Sequence, residues 1–272
     1  MKGTLFLIPT PIGNLQEVSP RIRETIFNCD YIACEDTRNT LKLLNLLNIK
    51  KKCVSCHEHN EKAESDKIIQ DILNGQNVGY MSDAGYPCIS DPGSILAIKA
   101  IKNDITVTPI SGPNAFINAL VASGLDSSHF LFYGFLKSKS VERIKELESL
   151  KELGFTLLFY ESPHRINDTL KDLYTVLGNR KITIARELTK LHEEFIRTDL
   201  KTINEEHKEL IGEMVLVVEG NNSSIEVINE EQIKENLNLL IKNGISGKDA
   251  INSVSLLLKV NKNLVKKIYY TI

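Results

Sequence analysis

The segment from Ser82 to Gly93 reads SDAGYPCISDPG and combines turn-forming residues with two carboxylates. It follows the short apolar segment Val78–Met81 and precedes an amphipathic run, an order that predicts a strand, a loop and a helix. Glycine and proline supply tight turns and let the backbone approach a ligand closely. The two aspartates disfavour a polyphosphate ligand. A purely structural connection is the alternative.

Two further loops rich in turn residues also follow predicted strands. Pro9–Asn14 reads PTPIGN, in which two prolines preset φ and Gly13 permits a sharp bend, with a plain turn as the alternative. Ser111–Asn114 reads SGPN and opens a predicted helix. The sequence contains no G-x-G-x-x-G, so an ordinary dinucleotide-binding site is not supported.

A third polar cluster, Glu35-Asp36-Thr37-Arg38, follows the second predicted strand. Asp36 or Thr37 can cap the next helix, and a buried pair between a carboxylate and Arg38 is a further structural interpretation. Catalytic groups also lie at the ends of strands, so Glu35 and Asp36 are catalytic candidates.

The segment Cys53–Asn60, CVSCHEHN, contains the spacing C-x-x-C-H. Haem attachment would need export, for which the sequence has no signal, and a zinc site would need a second ligand pair, so no metal site is predicted. On an extended segment His57 and His59 would share one face, with Glu58 opposite. All three are candidates for a catalytic or RNA contact, and structural hydrogen bonding is the alternative.

Basic residues in the second half follow other predicted strands. In Tyr160–Arg165, Ser162 is expected to cap a helix whose first residue is Pro163, which places His164 and Arg165 near a helix N-terminus able to face an anion. Arg186 and Lys190 lie in a polar stretch where they could contact phosphate. A surface ion-pair cluster is the alternative for that stretch.

The elements that must position these loops alternate along the chain. Short apolar segments alternate with segments of helical periodicity up to about residue 113, which predicts an α/β fold with a mostly parallel sheet. From Phe130 onward five more strands are predicted, the last three with little helix between them and therefore antiparallel. A linker at Asn221–Ser224 precedes three helices resembling a helix-turn-helix module, the last bearing Lys262, Lys266 and Lys267. We expect lobes at 1–113 and 114–222 and a helical extension at 225–272.

Bulk properties exclude several classes of protein. With 272 residues, a net charge of -2 and no long apolar run, the chain is neither a strongly basic duplex binder nor a predicted membrane protein. Five cysteines scattered through the first third, together with the missing signal-peptide pattern, favour a reducing cytoplasm.

Taken together, the segments resemble one family in their order along the chain. PTPIGN, EDTR, HEHN, SDAG-x-P-x-ISDPG, YESPHR and ARELTKLHEE are similar to the motifs of the ribosomal RNA small subunit methyltransferase I branch of the tetrapyrrole methylases. The resemblance covers about residues 3–220. It implies two α/β lobes with S-adenosyl-methionine between them, a homodimer, and 2′-O-methylation of a cytidine in the decoding region of 16S rRNA in the small ribosomal subunit.

The resemblance also assigns roles to residues. It implies cofactor contacts from three loops that should leave one edge of one sheet: Pro9, Thr10, Pro11 and Gly13; Ser82, Asp83, Ala84 and Gly85; Ser111, Gly112 and Pro113. RNA contacts are expected from Arg38, His164, Arg165, Arg186 and Lys190. The sequence departs from the family at Tyr86, Cys88, Cys56 and Ser111, where Thr, Gly, Tyr and Pro are usual, and this puts the cofactor contacts in question more than the activity.

Methyl transfer to a ribose 2′-hydroxyl needs a base, or a hydroxyl held in line with the methyl group, because this hydroxyl is a poor nucleophile. The sequence does not identify that base among Glu35, Asp36, His57, Glu58 and His59. Methylation of a tetrapyrrole carbon or of a diphthamide precursor, and a non-enzymatic RNA-binding assembly factor, remain alternatives.

Overall fold

The computed structural model describes residues 1–206, 209–221, 230–258 and 260–272. The chain divides into two compact units, Met1–Gly220 and Asn221–Ile272. The boundary expected between residues 113 and 114 stays a prediction. Most of the expected linker, and the start of the extension expected at 225–272, lie outside the described residues.

The first sheet of the larger unit is wholly parallel, as its alternating pattern predicts. Its strand order is β3-β2-β4-β1-β5. The strands are β1 (Thr4–Ile8), β2 (Tyr31–Cys34), β3 (Cys53–Ser55), β4 (Val78–Met81) and β5 (Thr106–Pro109). Strands β2 and β4 are buried at every residue because helices cover both faces of the sheet. Strand β3 escaped prediction because three residues are too short for a periodic pattern.

Five helices connect or follow these strands: α1 (Pro20–Asn28), α2 (Thr37–Leu46), α3 (Glu61–Leu73), α4 (Ser94–Lys102) and α5 (Ala115–Ser123). Side-chain oxygens cap three of them. Ser19 accepts from the amide of Ile22 at the start of α1, and Asp36 accepts from that of Arg38 at the start of α2. Asn114 Oδ1 accepts from the amide of Ile117 at 2.9 Å, so the polar loops double as helix starts.

The second sheet has the order β6-β7-β10-β8-β9. Its elements are β6 (Phe130–Phe135), β7 (Thr156–Glu161), β8 (Lys181–Arg186), β9 (Glu194–Asp199) and β10 (Met214–Val218), with α6 (Ser140–Leu150), α7 (Ile166–Leu177) and α8 (Leu200–Glu206). β6 and β7 are parallel, while β8, β9 and β10 pair antiparallel as predicted. Helix α8, between β9 and β10, was not predicted.

Helices cover both faces of this second sheet. On one face Leu147 of α6 and Leu170 of α7 belong to a buried cluster with strand residues such as Phe159. On the other face Ala119 and Leu120 of α5 pack among apolar residues of β7, β8 and β10. Burial of one such leucine stabilises the fold by about 1.5–3 kcal/mol. Because α5 packs here, the chain after β5 passes directly from the edge of the first sheet to the second.

Two local predictions were wrong. Residues 58–60 form a turn, with the amide of Asn60 bound to the carbonyl of His57, so His57 and His59 do not lie on an extended segment. Helix α7 begins at Ile166 rather than at Pro163, and Ser162 does not cap it, because Ser162–Arg165 form a separate turn.

The smaller unit contains three helices in its described residues, α9 (Glu230–Lys242), α10 (Gly247–Leu257) and α11 (Lys262–Tyr269), in the predicted order. They share an apolar core formed by Ile233, Leu237, Ala250, Val254, Val265 and Ile268. The three lysines predicted on the last helix are exposed. A search of the described residues found no helix long and apolar enough to cross a membrane.

Candidate active site

Two of the three predicted ligand loops are joined by backbone hydrogen bonds. β1 and β4 are adjacent parallel strands, so their carboxyl ends open at the same edge of the sheet. The amide of Thr10 donates to the carbonyl of Gly85 at 2.9 Å, and the amide of Gly85 donates back to Thr10 at 3.0 Å. Thr10 Oγ1 also donates to the carbonyl of Ser82 at 3.2 Å. The loops after β1 and β4 therefore form one rigid wall.

The third loop, after β5, is tied to the same wall. The amide of Gly112 donates to the phenol oxygen of Tyr86 at 2.8 Å. A Cβ atom on Gly112 would lie 2.4 Å from Cγ of Pro9, so only glycine fits against the first loop. Gly13 in turn approaches the other sheet, because its Cβ would lie 2.5 Å from Cγ of Lys190.

Beyond this wall lies a cavity of about 350 Å³ between the carboxyl-end loops of the first sheet and the second sheet. Ile12, Ala84, Gly85 and Tyr86 line one side. The opposite side is formed by residues of β7, β8 and β10 and of adjoining loops: Tyr160, Glu161, Ala185, Leu188, Glu213, Met214 and Val215. Most of the lining is apolar, so the cavity suits a ligand with a flat, weakly polar part.

A second cavity of about 630 Å³ adjoins the first and shares Tyr86, Ile89 and Asn114 with it. Gly112 and Pro113 of the third loop line this second space, as does Glu17. Of the residues predicted to contact the cofactor, Ala84 and Gly85 line the first cavity. Thr10 and Ser82, by contrast, are buried within the wall.

Three carboxylates gather at the same edge of the first sheet: Glu35, Asp83 and Asp91, here called the acidic edge. Burial raises the pKa of Glu35, and the negative charge of Asp83 raises it further. Burial raises the pKa of Asp91 to about 7, with added contributions from the charges of Glu35 and Asp83. Where like charges share a partly buried site, the pKa of at least one carboxyl is raised.

Residues 4–204 match the family described as Tetrapyrrole (Corrin/Porphyrin) Methylases. A protein of Halalkalibacterium halodurans named ribosomal RNA small subunit methyltransferase I is 45% identical, over 99% of this chain and 95% of its own. The protein of that name from Bacillus subtilis is 42% identical, over 98% of this chain and 93% of its own.

The chain belongs to the ribosomal RNA small subunit methyltransferase I family. Solved structures extend the likeness of fold to more distant proteins. Diphthine synthase has a TM-score of 0.61 at 13% identity, covering 80% of this chain and 90% of its own. Uroporphyrin III C-methyl transferase from Thermus thermophilus has a TM-score of 0.56 at 15% identity, covering 80% of this chain and 97% of its own. At such identities the likeness concerns the fold alone.

In this member of the methyltransferase I family the EDTR segment divides into two environments. Glu35 is half-buried, whereas Asp36 caps α2 and binds the Arg38 guanidinium at 2.6 Å. Hydrogen bonds from Arg38 lower the pKa of Asp36 to about 2. Because 84% of the Arg38 side chain is exposed, the interpretation of a buried pair is wrong. Asp36 therefore stays ionised and serves the helix start.

The HEHN segment forms a tight turn beside the acidic edge. Asn60 Oδ1 accepts the amide of His57 at 2.7 Å, and the His57 and His59 rings lie 5.9 Å apart. His57 acts electrostatically on Glu35, whereas Glu58 and His59 point into solvent. His57 thus lies nearest to the site among these candidates.

Sequence reasoning missed Glu61, the residue after HEHN. It is 4% exposed, and its Oε1 accepts the amides of Gly93, Ile95 and Leu96 at 2.9–3.2 Å. It therefore fixes the start of α4 and the end of the SDPG loop. Nothing in the local sequence indicates this, since the partners lie more than thirty residues away.

The predicted RNA contacts of the second lobe lie mostly in internal pairs. Arg186 binds Glu194 at 2.6 Å, and Lys190 binds both Glu187 and Glu213 at 3.0 and 2.9 Å. These five side chains are here called the paired cluster. This arrangement matches the ion-pair alternative, and its local charges largely cancel.

Arg165 and His164 lie elsewhere on the same lobe. Arg165 Nη2 binds Glu161 at 3.1 Å and the carbonyl of Leu136 at 2.8 Å. His164 is exposed. Arg38 and His164 are therefore the more accessible of the predicted RNA-binding residues. Among the described residues no group of three or more His, Cys, Asp or Glu could hold a metal ion.

Proposed function

We propose that this chain transfers a methyl group from S-adenosyl-methionine to the 2′-hydroxyl of a cytidine in the decoding region of 16S rRNA. The observation that carries the proposal is the joining of the three strand-end loops beside one cavity, in a chain 45% identical to a named ribosomal RNA small subunit methyltransferase I. Ligands of open parallel sheets bind at this edge.

The residues of the first cavity fit the proposed cofactor. Ile12, Leu188 and Val215 offer apolar surface to an adenosyl group, and Gly85, at a φ of 73°, leaves the wall without a side chain there. Carboxylates at the acidic edge suit a ligand bearing an ammonium and a sulfonium charge. When bound, the cofactor supplies an electrophilic methyl carbon.

The chain's own residues would then orient the two reactants. The Thr10–Gly85 pairing and the Gly112–Tyr86 hydrogen bond hold the cavity wall in place before any ligand arrives. Holding the two reactants in line lowers the activation free energy of methyl transfer, by as much as about 7–11 kcal/mol in the most favourable cases. Glu35, Asp36, His57, Glu58 and His59 remain proposed contributors near the reacting hydroxyl.

Recognition of RNA would use exposed cations rather than the overall charge. The net charge of -2 and the internal pairing of Arg165, Arg186 and Lys190 argue against an extended set of phosphate contacts driven by overall charge. Affinity for naked RNA requires many such contacts. The assembled small subunit, which presents a folded surface, is therefore the proposed substrate.

The deciding experiment compares 16S rRNA from a strain lacking this gene with rRNA from the complemented strain, by mass spectrometry. We expect one ribose-methylated cytidine in the decoding region to disappear and return on complementation. In vitro, methyl incorporation should be high with purified small subunits and low with naked 16S rRNA. Intact methylation in the deletion strain would refute the proposed activity. Methylation of a protein or a tetrapyrrole instead would favour one of the alternatives.

The smaller unit is proposed to contact RNA through the lysines of its last helix. Lys262, Lys266 and Lys267 are exposed and make no ion pair within the described residues. Replacing all three by Ala should weaken binding to the subunit and leave cofactor binding intact, as measured by calorimetry.

We further propose a cytoplasmic homodimer, for which light scattering should give twice the 30.6 kDa chain mass.

A further inference from the structure

Three carboxyl side chains line the first cavity: Asp91, Glu161 and Glu213. Glu161 is 3% exposed and accepts from the Ser162 amide, the Thr169 hydroxyl and the Arg165 guanidinium. Glu213 binds Lys190 at 2.9 Å. No Lys, Arg or His of the described chain lies within ion-pair distance of Asp91. Asp91 is therefore the cavity carboxyl without a cation partner among the described residues.

The backbone around Asp91 is fixed at both ends. The amide of Cys88 donates to the carbonyl of Pro92 at 3.1 Å, and Cys88 and Ser90 adopt φ values of 71° and 62°. Such a conformation is costly for residues with a Cβ and persists where the surroundings impose it. On the other side Glu61 binds the amide of Gly93 at 2.9 Å. The loop backbone is thus fixed on both sides of Asp91, which lines the first cavity.

The surroundings of Asp91 raise its pKa toward neutral pH. Burial raises its pKa to about 7, and the charges of Glu35 and Asp83 contribute in the same direction. Across the cavity, burial raises the pKa of Tyr160 to about 12, to which the charge of Asp91 contributes. Tyr160 therefore stays neutral. A base with a pKa near the working pH is the most effective acceptor of a proton.

The other candidates are less suited to this role. Asp36 is held ionised by Arg38, and Glu58 and His59 are exposed. Glu35 and His57 do not line the first cavity, although the charge of Glu35 acts on Asp91. We propose that Asp91 is the catalytic base, which takes the proton of the ribose hydroxyl during methyl transfer. This inference rests on the proposed function and names the base that the sequence left open.

The proposed step balances without a further reactant. The hydroxyl oxygen forms a bond to the methyl carbon as the bond between that carbon and sulfur breaks, and the electron pair of the broken bond stays on sulfur. The hydroxyl proton passes to an Oδ atom of Asp91 and from there to solvent. Asp91 must therefore be ionised when the substrates bind, and the rate should rise with pH up to the pKa of this carboxyl.

The first test compares Asp91→Asn with Asp104→Asn, an exposed aspartate in the turn before β5. Single-turnover methyl transfer to small subunits should fall about 10²–10⁴-fold in D91N and stay unchanged in D104N. Calorimetry with the demethylated cofactor should show a loss of affinity in D91N that is far smaller than its loss of methyl transfer, and no loss in D104N. A fall of less than about tenfold in D91N would overturn the inference while wild-type activity still upholds the proposed function. A wild type without activity on subunits would count against the proposed function itself.

The second test does not depend on activity. In the unliganded protein with ¹³C-labelled aspartate, one carboxyl signal should titrate near pH 7 and be absent from D91N. In Glu35→Gln the same signal should titrate at lower pH, because a neighbouring negative charge has been removed. The pH profile of kcat/KM should move in the same direction. Titration of Asp91 near its ordinary value, or a profile unchanged in E35Q, would contradict the assignment.

Discussion

The acidic edge of the first sheet and the paired cluster of the second lobe are both rich in charge, yet their electrostatics are opposite. At the acidic edge, carboxylates face one another and the pKa values of Glu35 and Asp91 are raised. In the paired cluster each carboxylate meets a cation, and Lys190 lowers the pKa of Glu187. Unpaired like charges destabilise a fold and tend to mark reactive sites, whereas paired charges hold loops in place.

The largest effect on stability is expected at Glu161, the cavity carboxylate that accepts the most hydrogen bonds. Glu161→Gln removes the charge that accepts from Ser162, Thr169 and Arg165, and should lower the free energy of unfolding by about 2–4 kcal/mol. Glu35→Gln, the matched change at the acidic edge, should leave stability unchanged or raise it at pH 8. Urea unfolding monitored by circular dichroism measures both.

The control for this comparison is Glu148→Gln on the exposed face of α6, where the carboxylate is 54% exposed. It should change stability by less than about 0.5 kcal/mol. If E35Q destabilised the protein as much as E161Q, the distinction between the two regions would not hold.

A smaller effect, with a defined pH dependence, is expected in the paired cluster. A carboxylate whose pKa is lowered on folding contributes stability above its ordinary pKa of 4.5, and this is lost as the pH falls through the lowered value. Lys190→Met should therefore cost about 0.5–1 kcal/mol at pH 7, and this cost should shrink as the pH falls below 4.5.

The acidic edge should show the opposite trend. Asp91, whose pKa is raised on folding, costs the protein stability as the pH rises from its ordinary 3.8 to about 7. Thermal unfolding from pH 3 to 8 should show D91N gaining on the wild type over that range and K190M losing. Lys145→Met, on the exposed surface of α6, serves as the control and should show neither trend. Parallel curves for D91N and K190M would contradict the comparison.

The smallest effect on stability is expected at Arg38. Its pair with Asp36 is exposed, and exposed ion pairs contribute little to stability, so Arg38→Ala should leave the free energy of unfolding close to that of the wild type. If Arg38 contacts RNA, binding to the small subunit should weaken about three- to tenfold and the salt dependence should become shallower. Lys42→Ala, one turn further along α2, is the matched control. An equal loss in both variants would indicate general attraction to phosphate rather than a contact at Arg38.

Much of the fold could be predicted because its signals are local. The alternation of apolar segments with helical periodicity predicted the parallel sheet, and β4 has its predicted bounds, Val78–Met81. Capping by Asp36 also followed from sequence, since a cap depends on residues two or three positions apart. Short elements such as β3 and α8 could not be predicted, because their stability comes from neighbours distant in the chain.

The sequence predicted the loops of the site but not the pairing of its charges. The sequence by itself determined which loops end strands, and a parallel sheet then brings their ends to one edge. Only the tertiary structure decided which charges meet there, because pairing depends on the distance across the fold rather than along the chain. The sequence does not show whether the side chains of Arg186 and Lys190 are free or paired. The same holds for the carboxylates of Asp91 and Glu161. The structure gave partners to Arg186, Lys190 and Glu161 and gave Asp91 only like charges and a cavity.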